Sequence, residues 1–110
     1  LTRDGLQRAA EAASDSTLES RNVQIVDRST GAPKRTSLRL EPQMWDALQE
    51  IARREGSPPN AIVSQVERHR TASTLTAAVR VFIVSYFRAA ATEDGHAGAG
   101  HGPRKAKHGR

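Results

Sequence analysis

Four histidines, His69, His96, His101 and His108, are the residues of this 110-residue chain best suited by type to hold a metal or move a proton. The last three are spaced five and seven apart among glycines, with no Asp or Cys in a fixed position near them, so they form no ordered ligand set. His69 lies between Arg68 and Arg70 at the end of a predicted helix, where a cation suits the helix dipole. The chain has no cysteine, which excludes a disulfide framework and a thiolate metal site. Serines and threonines fall at predicted caps and turns, no nucleophile–base pair is suggested, and neither a phosphate-binding loop nor an HExxH motif is present. The chain therefore reads as a non-enzyme, with no metal and no cofactor.

The remaining chemistry is basic. Lys and Arg number 17 against 12 Asp and Glu, for a net charge of +5 and a pI near 10.7. Such a surplus favours nucleic acid or another anionic partner, and it equally suits an ordinary solvated surface. One segment gives it a pattern. In KRTSLRLEP, from Lys34 to Pro42, Arg35, Ser37 and Arg39 alternate with Thr36, Leu38 and Leu40. Period-two alternation marks a half-buried strand, and its basic side is either a base-contacting face or an edge whose charges discourage aggregation. A lone short strand is unstable, so it needs a partner.

The elements around this strand set its context. Residues 1–20 read as a disordered extension or a frayed helix, and 21–33 as an arm or a short extra strand with Val23 and Ile25 on one side. Pro42 opens a helix over 42–55, whose Met44, Trp45, Leu48, Ile51 and Ala52 fall at helical spacing and whose stop is Gly56. Trp45 at this spacing is a core residue. Ser57 caps a second helix, with Pro58 at its first position and Ile62, Val63 and Val66 inward. Ser73 or Thr74 caps a third helix over 74–91, apolar on nearly every side, which one short chain cannot cover and which points to a partner subunit. Residues 92–110 read as a flexible basic tail. No apolar run reaches the roughly 18 residues of a membrane span, and the N-terminus lacks a signal-peptide core. The expectation is a cytoplasmic protein with no membrane partner, nucleoid-associated if it binds DNA. The chain opens on Leu1 rather than Met, as a fragment or a non-standard start codon would give.

The order strand, Glu-Pro, amphipathic helix, Gly, capped helix, covering about 34–68, resembles the ribbon-helix-helix superfamily of the methionine and Arc repressors. Through TLTAAVRVFIVSYFR it is similar to a bacterial subgroup with an extra C-terminal helix, which assigns 34–91 to one domain. The resemblance implies a mainly α fold with a short β-ribbon, built as an intertwined homodimer. It implies double-stranded DNA as partner, with the ribbon in the major groove of an operator and a role in transcription regulation. By position, Arg35, Ser37 and Arg39 would contact bases. Lys34, Ser57, Asn60, Ala61, Lys105 and Lys107 would contact phosphates. Leu38, Leu40, Trp45, Leu48, Ile62, Val66, Phe82 and Tyr86 would form the dimer core. Pro58 and Pro59 lack N–H groups where the family anchors a phosphate. The alternative is a dimeric module, antitoxin-like or adaptor, that binds a partner protein with weak or lost DNA binding.

Overall fold

The computed structural model describes residues 2–96, with side chains to residue 93. Its elements are α1 (Arg3–Ala12), β1 (Glu19–Val26), β2 (Pro33–Leu40), α2 (Pro42–Glu55), α3 (Pro59–His69) and α4 (Leu75–His96).

β1 and β2 form a two-stranded antiparallel sheet within one chain, with Val23 opposite Thr36 and Arg21 opposite Leu38. The sequence left 21–33 as an arm or an extra strand and sought the second strand of the ribbon in another copy. Here residues 19–26 form that extra strand, paired with β2 within the chain. The turn explains why. Asp27 Oδ1 accepts hydrogen bonds from the Ser29 N–H, the Ser29 hydroxyl and the Thr30 N–H at 2.8, 2.5 and 3.2 Å. Those bonds, that of the Ser29 hydroxyl foremost, hold the Asp27 carboxyl below its ordinary pKa. Gly31 then takes φ +76°, which an L side chain adopts only under strain, and the Asp27 N–H closes the hairpin on Ala32 O at 2.8 Å.

The register decides the faces. Val23 and Ile25 on β1 and Leu38 and Leu40 on β2 turn inward and are buried. They meet the stripe Trp45, Leu48 and Ile51 of α2, then Val63 of α3 and Val79 and Ile83 of α4. Each large aliphatic side chain so buried is worth about 1.5–3 kcal/mol. Trp45 also satisfies its indole N–H, which donates to Glu19 O at 2.8 Å.

Pro42 opens α2, and Gly56 at φ +65° ends it in the left-handed conformation. α3 begins one residue later than expected. Pro58 is its N-cap and Pro59 its first residue, while Ser57 gives its N–H to Ala52 O at 3.0 Å instead of capping. Thr74 caps α4 by accepting from the Ala77 N–H at 3.1 Å. α4 runs to His96 rather than 91, continuing past the alanines 89–91 through residues 92–96. Its stretch Leu75–Glu93, 19 residues at hydropathy 1.3, is long and apolar enough to cross a membrane, correcting the expectation that no segment qualifies. Val79 and Ile83 nevertheless seat it on the core, and its Arg80 pairs with Glu41 at 3.1 Å.

α1 buries none of its residues. It is tethered through the Gln43 side-chain amide, which donates to Ala12 O and Asp15 O at 2.6 and 3.0 Å.

One buried charge locks the far end of the bundle. Glu67, 6% exposed, accepts from Arg70 at 2.8 and 3.2 Å. Arg28 of the hairpin turn donates to the Glu67 and Arg70 carbonyl oxygens, a cation placed at the C-terminus of α3. The Arg70 hydrogen bonds hold the Glu67 carboxyl below its ordinary value of 4.5. A depressed carboxylate stabilises the fold above that ordinary value and loses the contribution as pH falls through the folded one. Glu67→Gln is expected to lower stability by about 1–3 kcal/mol at pH 7. It should also flatten the decline in stability below pH 4.5, followed by thermal unfolding across pH 3–7.

Candidate nucleic-acid interface

Residues directly opposite in an antiparallel pair point to one face. The outward face therefore carries Arg35, Ser37 and Arg39 of β2 beside Gln24, Asn22 and Ser20 of β1, with Val26 and Pro33 at the turn end. All eight are exposed, and none is acidic. Gln24 lies across from Arg35, Asn22 from Ser37 and Ser20 from Arg39.

The two edges of this ribbon differ. The outward N–H groups of β1 at Gln24 and Val26 donate to Asn60 Oδ1 and Ser64 Oγ of α3, each at 3.2 Å. Because these amides turn away from β2, Gln24–Arg35 and Val26–Pro33 are non-hydrogen-bonded pairs. By the same alternation, the backbone polar groups of Arg35, Ser37 and Arg39 turn to the opposite edge of β2. The Arg21 guanidinium lies 4.9 Å from the centre of the Trp45 ring and pairs with Glu19 at 2.8 Å, on the inner side.

The expected site residues separate into groups. Arg35, Ser37 and Arg39 share the outward face. Lys34 lies opposite Ile25, on the inner side of the sheet, and pairs with Asp27 at 3.8 Å. Asn60 and Ala61 sit at the start of α3, beside the edge of β1, with the oxygen of the Asn60 side chain engaged by Gln24. The first helical turn offers few donors there. Pro58 and Pro59 have none, and the Ala61 and Ile62 N–H groups both turn to Pro58 O. Ser57 is half-buried in the preceding turn. Lys105 and Lys107, and His101 and His108, lie outside the described residues.

The expected dimer-core residues also divide. Leu38, Leu40, Trp45 and Leu48 are buried by their own chain. Ile62, Val66, Phe82 and Tyr86 are half-buried and line open clefts between α3 and α4. Tyr86 donates its hydroxyl to Glu55 at 2.6 Å; burial, with this bond, raises its pKa. His69 gives its Nδ1–H to Gln65 O at 3.0 Å, and no group of three His, Asp or Glu side chains gathers among the described residues.

Sequence reasoning set Asn22, Gln24 and Val26 on the face opposite Val23 and Ile25 without naming any of them a site residue, and it passed over Ser20. Their signal was the alternation around Val23 and Ile25, which becomes informative once the Asp27–Gly31 turn fixes the register.

A two-stranded ribbon, a first helix closed by a left-handed glycine and a second helix packed beneath the sheet define a ribbon-helix-helix architecture, here with a further C-terminal helix. Residues 18–87, more than half of the chain, match the family described as the ribbon-helix-helix domain, and the chain belongs to that family. No curated protein and no solved structure matches the chain.

Asn60→Ala should release the edge of β1. Amide hydrogen exchange is expected to accelerate at Gln24, while the ladder amide of Val23 stays protected. Equal protection at both positions would show that the Asn60 bond contributes nothing to holding the strand.

Proposed function

We propose that the protein is a sequence-specific double-stranded DNA-binding protein and transcriptional regulator, acting as a homodimer in the cytoplasm through the outward face of its ribbon. The observation that carries this reading is a two-stranded face with two arginines and no acid. Strands about 4.8 Å apart fit a major groove about 12 Å wide. Arginine grips guanine O6 and N7 with two hydrogen bonds, and serine serves as donor or acceptor. Asn60 and Ala61, beside the ribbon edge, would meet a flanking phosphate; Ser57 and the tail lysines Lys105 and Lys107 add contacts of the same kind, whereas Lys34 lies on the inner side of the sheet. Membership of a family of regulatory DNA-binding modules supports this reading and a non-enzymatic role.

The partner for the apolar surface on this reading is a second copy. Val81 and Val84 of α4 are 64% and 48% exposed, beside the cleft formed by Val66, Ala78 and Phe82. Two copies meeting there would bury this surface and set two ribbons about a two-fold axis, so the operator should be roughly palindromic.

One observation favours a second reading, a dimeric module that binds a partner protein. Pro58 and Pro59 deplete the helix start of phosphate donors. A stoichiometric protein retained after nuclease and high salt would support it.

Two outcomes are expected. Arg39→Ala should cost about 1–3 kcal/mol per contact and relax the base preference at one position of each half-site, read from DNA-pool selection at two salt concentrations. Unchanged affinity and preference would remove β2 from base reading. Val81→Glu should shift the protein from dimer to monomer in sedimentation at micromolar concentration, with its helical circular dichroism intact. A dimer that persists would place the interface elsewhere.

A further inference from the structure

We propose that α1 is a docking arm for a second copy of this chain. The Leu6 side of α1 packs on the Val81–Val84 side of α4 in the other copy, and the reverse contact forms across the two-fold axis. The inference rests on the homodimer proposed above and names the segment that covers α4.

Three observations carry it. First, α1 is built as a helix yet buries nothing. Thr2 caps its start by accepting from the Gly5 N–H at 2.9 Å, and at its end the Ser14 hydroxyl donates to Glu11 O at 2.7 Å. Leu6, Ala9, Ala10 and Ala13 fall on one side of the helix. Gln7 and Glu11 fall on the other, where Gln7 donates to the Glu11 carboxylate at 3.1 Å. Ten residues are too few for a helix to hold in water without packing. Second, α1 is kept off its own core. The Gln43 amide fixes Ala12 O and Asp15 O beside the start of α2, and Leu6 is left 62% exposed. Third, the same chain carries a matching surface. Among the exposed large apolar side chains of the described residues, Leu18 and Val26 stand singly. Val81 and Val84 instead share the side of α4 turned away from Val79 and Ile83. One two-fold contact satisfies both faces, because α1 then meets α4 twice. Ten helical residues are about 15 Å long and about 10 Å across. Two such contacts remove about 600 Å² from water, a large share of the roughly 1,200–2,000 Å² buried in a stable interface. A crossing of α4 on α4 alone would leave Leu6 uncovered.

The chain has no cysteine, so introduced thiols report contacts without background. Full-length Leu6→Cys protein is unfolded and refolded together with full-length Val81→Cys or Val84→Cys protein in a glutathione redox buffer. A disulfide between the two different chains is expected, since it needs α-carbons about 4.4–6.8 Å apart. Glu11→Cys, on the far side of α1, should give none with either. Leu6→Asp should weaken the dimer about 10- to 100-fold in sedimentation equilibrium. A Val84→Cys disulfide between like chains without the mixed one overturns the inference and leaves the dimer standing, with α4 against α4. A chain carrying both Leu6→Cys and Val84→Cys that closes on itself also overturns it, because α1 then covers its own α4. If the wild-type protein sediments as a monomer, the homodimer and the inference fail together.

Discussion

The antiparallel pairing of β1 with β2 fixes which side chains meet the helices and which meet solvent. Side chains alternate with period two, so a slip of one residue would drive Arg35, Ser37 and Arg39 into the core and expel Leu38 and Leu40. Burial of those leucines against Trp45, Leu48 and Ile51 opposes the slip from below. The Asp27 side chain and the positive φ of Gly31 oppose it at the turn. The polar outward face is thus the complement of the apolar one, fixed by the same register, and it needs no separate device to be presented.

The pairing also leaves the ribbon asymmetric. An open strand edge invites further pairing, and this chain closes one edge with Asn60 and Ser64 side chains where a third strand would otherwise add. The same bonds place the start of α3 beside the ribbon, so the position of Asn60 and Ala61 follows from how the sheet edge is satisfied. On the other edge the outward backbone groups belong to the residues that carry the basic face, with Pro33 lacking a donor at one end. Edge and face of β2 are therefore chemically coupled. A partner strand on that edge would bring a second set of Arg35, Ser37 and Arg39 next to the first.

Much of this was legible in the sequence. The β2 alternation, the α2 stripe and the Gly56 stop each follow from a local rule that packing did not overturn. The mainly α class, the ribbon and the family followed from their order, and the match over 18–87 agrees. What escaped was non-local. That β2 pairs with β1 depends on a loop in which Asp27 accepts three bonds, and the residue string shows only a turn cluster. The edge role of Asn60 depends on a strand 36 residues away. The N-cap of α3 was misplaced by one residue because Ser57 is a good capping type, yet its N–H is drawn back to close α2 at Ala52. Leu38 and Phe82 look alike as apolar residues, but only the three-dimensional packing separates a buried side chain from one lining an open cleft.

That separation bears most on α4. A helix on the surface of a monomer normally presents one apolar stripe and one polar face. α4 turns Val79 and Ile83 to its own core and leaves Val81 and Val84 outward, and only 11% of its apolar window is buried within the chain. An exposed apolar patch of this kind is the surface on which a second body would dock. Bilayer and protein both satisfy apolar surface, but Arg80 is fixed to Glu41 and the helix flanks clefts that also contain polar Gln65 and Ser73. A lipid tail cannot answer those groups with hydrogen bonds, whereas a protein surface can. A second copy presents the same mixture of apolar and polar groups, which suits a self-complementary contact about a two-fold axis. On the proposed function that axis has a further use: a pair of identical ribbons can meet a DNA duplex whose half-sites repeat with the same symmetry.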